Sequence, residues 1–184
     1  NVLYKMGMRF DSDEAVFLSD EIMEFISYHA ISASSDLAKE KGPYSTFGGS
    51  KWSRGIFPLD TLKLLEEERE IPTGLDFSSR LNWDELRQKV KSQGMRNSNC
   101  LAIAPTATIS NISGCLPSIE PIYKNLYVKS NSSGEFTVTN EYLIEDLKKL
   151  NLWNADMMEK LKYHDGSVQK IFEIPVEVRE RYKE

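Results

Sequence analysis

Leu101-Ala102-Ile103-Ala104-Pro105-Thr106-Ala107-Thr108-Ile109-Ser110 is a short apolar run that stops at a proline and turns at once into hydroxyl-bearing residues. The apolar residues at 101–104 predict a short strand buried on both faces, and Pro105 fixes φ where a missing N–H does no harm. A helix is then expected from Ala107 to Ser113, with Thr106 or Thr108 as its cap. Strand, turn and helix start point unpaired N–H groups and two or three hydroxyls at one spot, an arrangement that holds a phosphate well. Spacing alone leaves two readings open, an anion seat and a plain helix cap. No basic residue lies within the run, so a phosphate would rely on backbone dipoles and hydroxyls or on cations from elsewhere, with Arg96, Lys124 and Lys129 the nearest candidates.

Composition bounds the rest. A chain of 184 residues, 40% hydrophobic and 28% charged, with formal net charge -5, is ordinary for one soluble domain of cytoplasmic type. No apolar run approaches the roughly 18 residues of a membrane span, and no signal-peptide pattern opens the chain, which disfavours membrane and secreted readings. Without a basic stripe, a nucleotide is compatible as ligand and a nucleic acid is not favoured. Cys100 and Cys115 are expected as free thiols in a reducing compartment, each filling a buried apolar position, with a disulfide between them the alternative.

Asp11-Ser12-Asp13-Glu14 reads as a capping box, and Leu18, Ile22, Phe25, Ile26, His29, Ala33 and Leu37 follow at helical spacing until Gly42-Pro43 ends the helix. On that stripe His29 reads as a core histidine, whereas His164, beside Asp165-Gly166, reads as turn surface. Residues 44–57 are too long and too aromatic for a linker and predict an ordered surface loop; its Gly48-Gly49-Ser50-Lys51 lacks the spacing of a phosphate loop. Asp60 is expected to cap a second helix reaching about Glu70, and Asn82-Trp83-Asp84-Glu85 to open a third that Gly94 closes. Runs 123–130 and 135–139 alternate around Asn131-Ser132-Ser133-Gly134 as a hairpin, Asn140 caps a helix to Leu150, and another short one spans Trp153 to Leu161. Glu120, the one acid in an apolar setting, reads either as a cap or salt-bridge acid or as a group orienting Lys124 or the phosphate turn. Asn97 and Ser98 either line the mouth of a binding site or satisfy loop backbone.

A family resemblance discriminates between the readings of the turn. Ala104-Pro105-Thr106-Ala107-Thr108-Ile109-Ser110 followed by Pro117-Ser118-Ile119-Glu120-Pro121 resembles a segment of the large, catalytic subunits of ribonucleotide reductases. The likeness extends in order through Leu3-Tyr4-Lys5-Met6-Gly7, Phe10-Asp11-Ser12, Gly42-Pro43-Tyr44 and Gly48-Gly49-Ser50-Lys51-Trp52-Ser53-Arg54-Gly55. It continues in Asn125-Leu126-Tyr127-Val128-Lys129-Ser130, Ser133-Gly134-Glu135-Phe136, Leu152-Trp153 and Asp165-Gly166-Ser167-Val168-Gln169, covering essentially the whole chain.

The resemblance implies a helix-rich α/β fold that is part of a ten-stranded α/β barrel and carries a β-hairpin. It implies that Pro105, Thr106, Ala107, Thr108, Ile109 and Ser110 contact the diphosphate of a ribonucleotide substrate, mostly through backbone N–H groups, which tolerates apolar Ala107 and Ile109 where other members carry acidic or hydroxyl residues. No catalytic residue and no metal ligand is expected here. The family's Asn-x-Cys-x-Glu finger loop is missing, Asn99-Cys100-Leu101-Ala102 being its nearest imitation, and so is its reducing cysteine pair. Resemblance places the finger loop before residue 1 and the redox tail after residue 184, so residues 1–184 read as a barrel-domain fragment, inactive alone. The segment itself is expected to bind no cofactor. Implied partners are a ribonucleoside diphosphate, a radical-generating, metal-containing small subunit of the aerobic class, a thioredoxin- or glutaredoxin-type reductant, the remainder of the catalytic subunit and a second copy in a homodimer. The competing reading is a stand-alone helical interaction module, and uncovered apolar faces are expected on either.

Overall fold

Capping residues and glycines set most element boundaries. A computed structural model describes residues 1–132 and 134–184. In chain order the elements are α1 (Val2–Lys5), α2 (Asp13–Lys41), α3 (Pro58–Arg69), α4 (Trp83–Gln93), α5 (Ala107–Ser113), β1 (Leu126–Asn131), β2 (Gly134–Thr139), α6 (Glu141–Lys149), α7 (Ala155–Tyr163) and α8 (Val176–Arg181). Ser12 Oγ accepts the Ala15 N–H at 3.2 Å to start α2. Asn82, Asn140 and Asn154 cap α4, α6 and α7 through their side-chain oxygens. Gly94, at φ 84, closes α4 as the sequence predicts. Asp60 lies inside α3 rather than at its cap: its carboxylate reaches back to accept the Phe57 N–H at 2.7 Å, the N3 role of a capping box.

Residues 18–102 form one compact unit and residues 1–17 with 103–184 the other. In the first, Ile31, Phe57, Leu86, Val90 and Met95 form the core, and Tyr44, Phe47 and Trp52 of the expected ordered loop pack against it. The buried side of α2 is not the predicted stripe. Ile31, Ser34, Ser35 and Ala38 face inward, while Phe25, Ile26, His29, Ala33 and Leu37 are exposed. Partners decide the choice: Ser34 Oγ bonds Asn97 Oδ1 at 3.1 Å and the Asn97 N–H at 3.0 Å, and Ser35 Oγ bonds Gln93 Oε1 at 3.3 Å. Both sides of α2 are apolar enough to qualify, and the small hydroxyl side is the one that finds polar partners.

Glu24 ties α2 to the start of α4. Its Oε1 accepts the Arg80 N–H at 2.8 Å, the Leu81 N–H at 3.0 Å and the Trp83 indole N–H at 2.9 Å, while Arg80 Nη1 reaches Oε2 at 3.1 Å. Burial pushes the Glu24 carboxyl up, but these donors together outweigh it and hold the group below the usual carboxylate range.

The other unit is built on Tyr4, Leu143, Leu147, Met157, Leu161, Val168, Ile174, Val178 and Tyr182. Its antiparallel hairpin runs in register from Leu126 opposite Thr139 to Asn131 opposite Gly134. The expected turn joins these strands, and its Ser133 lies outside the described residues. Two buried asparagines anchor the stem: Asn140 Nδ2 donates to Asn125 Oδ1 at 2.8 Å, and Asn125 Nδ2 donates to the Tyr182 carbonyl at 2.9 Å. Gly166, at φ 92, lets the stem come close, since a Cβ there would lie 2.8 Å from the Leu126 nitrogen. Asp146 accepts from Tyr182 Oη at 2.8 Å and Arg181 Nη1 at 2.8 Å, so α8, which the sequence did not announce, is fixed to α6.

Residues 101–104 are not a strand. They carry no sheet partner among the described residues and are exposed, Ile103 at 67%. A strand buried on both faces needs neighbours for its backbone groups, and the two strands described pair with each other. The observed architecture is helix-rich with one two-stranded hairpin. No described helix is long and apolar enough to cross a membrane.

Two outcomes follow for stability. Glu24→Ala orphans several donors and is expected to cost about 2–4 kcal/mol in denaturant unfolding. Because the folded Glu24 carboxyl sits below its unfolded value, the wild-type contribution is present above the unfolded carboxylate range and fades as pH falls through the folded pKa; the variant's stability should show a flatter acid dependence. Gly166→Ala, strained by both φ and contact, should lower stability by more than about 1 kcal/mol in thermal unfolding; an unchanged midpoint would refute the close approach.

Candidate functional site

The turn predicted at 105–110 is built around an unusual backbone. Thr106 occupies the N-cap of α5 in the left-handed region, φ 51 and ψ 27, and its side chain makes no cap bond to the helix. A β-branched residue is disfavoured there, so something must hold it. The holding bonds are two: Thr106 Oγ1 accepts the Ser118 N–H at 2.8 Å, and the Thr106 carbonyl accepts the Ser110 N–H at 3.0 Å. Ser118 is itself left-handed, at φ 55, so two strained turns brace each other.

With the Ser110 N–H the first to find a helical acceptor, the amides of Ala107, Thr108 and Ile109 bond no acceptor among the described residues. Pro105, Ala107, Thr108 and Ile109 are exposed, Ile109 at 58%, and Thr106 is half-buried. Ser110 is buried, and its hydroxyl donates to the Ala107 carbonyl at 3.3 Å. Of the three hydroxyls in the run, that of Thr108 is the one with no bond among the described residues. Asn111 Nδ2 donates to the same Ala107 carbonyl at 2.9 Å. Gly114, at φ 62, ends the helix, its N–H and that of Cys115 both returning to the Ser110 carbonyl.

Three cations were candidates for this turn. Lys129 stands on β1 and its Nζ donates to Asn111 Oδ1 at 3.0 Å, beside α5. Lys124 is bonded to Asp165 instead, which raises its pKa. Arg96 belongs to the 18–102 unit and donates there to the Gly42 carbonyl at 3.3 Å. Glu120 neither caps a helix nor meets Lys124; it accepts the Tyr123 phenol, whose pKa that bond raises. Asn97 and Ser98 serve loop backbone and side chains, Ser98 through its carbonyl to the Trp52 indole at 2.8 Å.

Other chemistry-bearing groups lie elsewhere. Both cysteines are free. Cys100 is half-buried, and burial pushes its thiol pKa up against a smaller opposing bond from Ser34. Cys115 is exposed rather than buried, because Gly114 turns the chain out of α5 before it. His29 is exposed, set against Phe25 and Tyr28, and His164, expected on the surface, is half-buried at the end of α7. Among the described residues no group of His, Cys, Asp and Glu is placed to hold a metal ion. Sequence reasoning missed Ser118 and Asn111, the two residues that fix the turn; the Pro117-Ser118 turn and the i, i+4 spacing of Ala107 and Asn111 were the available signals.

Comparison with known proteins bears on this geometry. The family model for "Ribonucleotide reductase, barrel domain" matches residues 1–184. The chain is 55% identical over 176 residues to "Ribonucleoside-diphosphate reductase subunit alpha" of Chlamydia pneumoniae, covering 95% of this chain and 17% of that protein. It is 42% identical over 184 residues to "Ribonucleoside-diphosphate reductase large subunit" of Trypanosoma brucei brucei, covering 97% and 22%. With the large subunit of African swine fever virus (strain Badajoz 1971 Vero-adapted) it shares 39% identity over 189 residues, covering 100% and 24%. The chain therefore spans less than a quarter of the length of the relatives described. It belongs to the ribonucleotide reductase barrel-domain family.

Proposed function

We propose that the chain is a segment of the catalytic barrel of a ribonucleoside-diphosphate reductase and that its turn Pro105–Ser110 seats the diphosphate of the substrate. One observation supports the reading above all: three consecutive amides, of Ala107, Thr108 and Ile109, bond no acceptor among the described residues, at the start of α5 where the helix dipole favours negative charge. Thr108 adds a hydroxyl, while Ser110 supports the turn from beneath. Apolar side chains at 107 and 109 are compatible because the backbone does the binding.

In this reading the segment supplies part of the ten-stranded barrel, and Ile103 and its neighbours pair with strands that other parts of the polypeptide provide. The radical-bearing cysteine loop and the reducing cysteine pair lie outside residues 1–184, so this piece alone holds substrate without reducing it. The complete enzyme takes its radical from a metal-containing small subunit, is re-reduced by a thioredoxin- or glutaredoxin-type protein, works as a homodimer in the cytoplasm and supplies deoxyribonucleotides for DNA replication. Family membership favours this reading over a stand-alone interaction module.

Two substitutions in a full-length catalytic chain carrying these residues test the seat. Ile109→Pro removes one of the three free amides at a first-turn position, where the missing N–H breaks no helical bond. Binding of a ribonucleoside diphosphate, followed by equilibrium titration, should weaken at least about tenfold, and binding of the unphosphorylated nucleoside should not change. Equal diphosphate affinity in variant and wild type would reject the seat. Thr106→Val keeps the side-chain shape but removes the oxygen that accepts from Ser118, leaving that amide unpaired; it should raise KM for the diphosphate by about three- to thirtyfold, in line with one lost buried hydrogen bond.

A further inference from the structure

Within the 18–102 unit, the segment between α3 and α4 is a strap tied down at both ends. Glu66 Oε1 accepts the Thr73 N–H at 2.7 Å and the Thr73 hydroxyl at 2.8 Å, and Glu24 Oε1 accepts the Arg80 and Leu81 amides. Between these ties the bonding is local, as where Asp76 takes the Ser78 amide at 2.8 Å and hydroxyl at 2.7 Å. Held this way, the strap leaves a cavity of about 390 Å³ between itself, α2 and the starts of α3 and α4. That is the size of a small-molecule site, many times the volume of a packing defect. Phe57 and Trp83, with ring centroids 6.1 Å apart at 79°, line it together with Phe77 of the strap. Met23 contributes apolar surface that is still 41% exposed.

Charge narrows the choice of ligand. Asp20, Glu24, Asp60 and Asp84 line the cavity, against the cations Lys63 and Arg87. Arg80, bonded to Asp20 at 3.0 Å and Glu24 at 3.1 Å, is a third cation, so one negative charge remains in excess. Glu24 and Asp60 are fully engaged, Asp60 by the Phe57 N–H at 2.7 Å and by Arg87 Nη1 at 2.6 Å. Arg87 is engaged as well, its guanidinium lying 4.9 Å over the Phe57 ring. Asp84 differs: it stands 3.8 Å from Arg87 Nε, beyond hydrogen-bond reach, and its side chain is 92% exposed. Aromatic walls with a carboxylate to spare complement a flat apolar body that carries a positive charge. We propose that this cavity is a binding site for a small organic cation, an amine, amidine or guanidine on an aromatic or aliphatic body. Asp84 is its charge partner, and Phe57, Phe77 and Trp83 are its walls. The site shares no residue with 105–110 and stands or falls independently of the diphosphate reading.

The test uses a full-length catalytic chain carrying these residues, titrated by saturation-transfer NMR with cationic benzamidine and with benzamide, its neutral isostere. Benzamidine should bind with a Kd of about 1 mM or tighter, as expected of so small a ligand, and benzamide at least about tenfold more weakly. Asp84→Asn should weaken benzamidine about three- to tenfold at low ionic strength, with the difference shrinking at high salt. Phe77→Ala, which removes a wall, should weaken it by a similar factor of about three to ten. Asp84 is exposed and Phe77 stands on the strap, so both variants should keep the wild-type unfolding midpoint. A saturating ribonucleoside diphosphate should leave benzamidine bound. Absence of benzamidine binding up to about 10 mM, equal affinity for benzamide, an affinity unchanged in either folded variant, or displacement by the diphosphate would each overturn the assignment.

Discussion

Everything at the proposed seat depends on one bond, the Ser118 N–H donated to Thr106 Oγ1. Left-handed backbone at a threonine costs on the order of 1–2 kcal/mol, and without a partner the residue would relax toward an ordinary cap, turning its hydroxyl onto the amides of the first helical turn. Engaging that hydroxyl with Ser118 has two consequences. It fixes the angle at which Ala104-Pro105 enters α5, and it keeps the threonine oxygen from satisfying the amides of Thr108 and Ile109. A helix start deprived of its own cap is open to an outside acceptor. The local rule for helix caps is broken at the very turn proposed to seat the diphosphate, and such broken rules collect at functional sites.

Around this point each unit secures its own polar groups. Asn125 and Asn140 lock the hairpin stem to α6 and α8, and the hairpin then brings Lys129 beside α5. In the 18–102 unit, Glu24 and the Ser34–Asn97 contacts tie the long α2 to the segments before and after α4. What the chain leaves open is apolar: Ile103, Ile109, Ile112 and Ile119 near the turn, and Phe25, Ile26 and Leu37 on α2. Faces of that kind fit the proposed reading of the chain as one segment of a catalytic barrel, in which other elements would cover them; the chain spans less than a quarter of the length of the relatives described.

Much of the architecture was legible because it is written locally. Asparagine caps at 82 and 140, the glycine at 94 and the alternation around 131–134 each announce their element within a few residues. The helix at 107–113 was legible for the same reason. The errors came where partners decide. Residues 101–104 have the composition of a buried strand but no neighbour to pair with among the described residues. The stripe through Phe25, Ile26 and Leu37 was as apolar as a core, and no periodicity reveals that Ser34 and Ser35 on the other side would find hydrogen bonds some sixty residues away. At the turn, spacing pointed to the free amides but not to the left-handed Thr106, since its partner Ser118 lies twelve residues on. Lys129 was one of three candidate cations, and the hairpin register is what brings it beside α5.

The most direct measurement is a structure of a full-length catalytic chain carrying these residues with a ribonucleoside diphosphate bound. The account predicts phosphate oxygens within about 3 Å of the amides of Ala107, Thr108 and Ile109, with Thr106 still left-handed and still bonded to Ser118. Those three amides paired to protein acceptors, with the diphosphate resting against other residues, would contradict it.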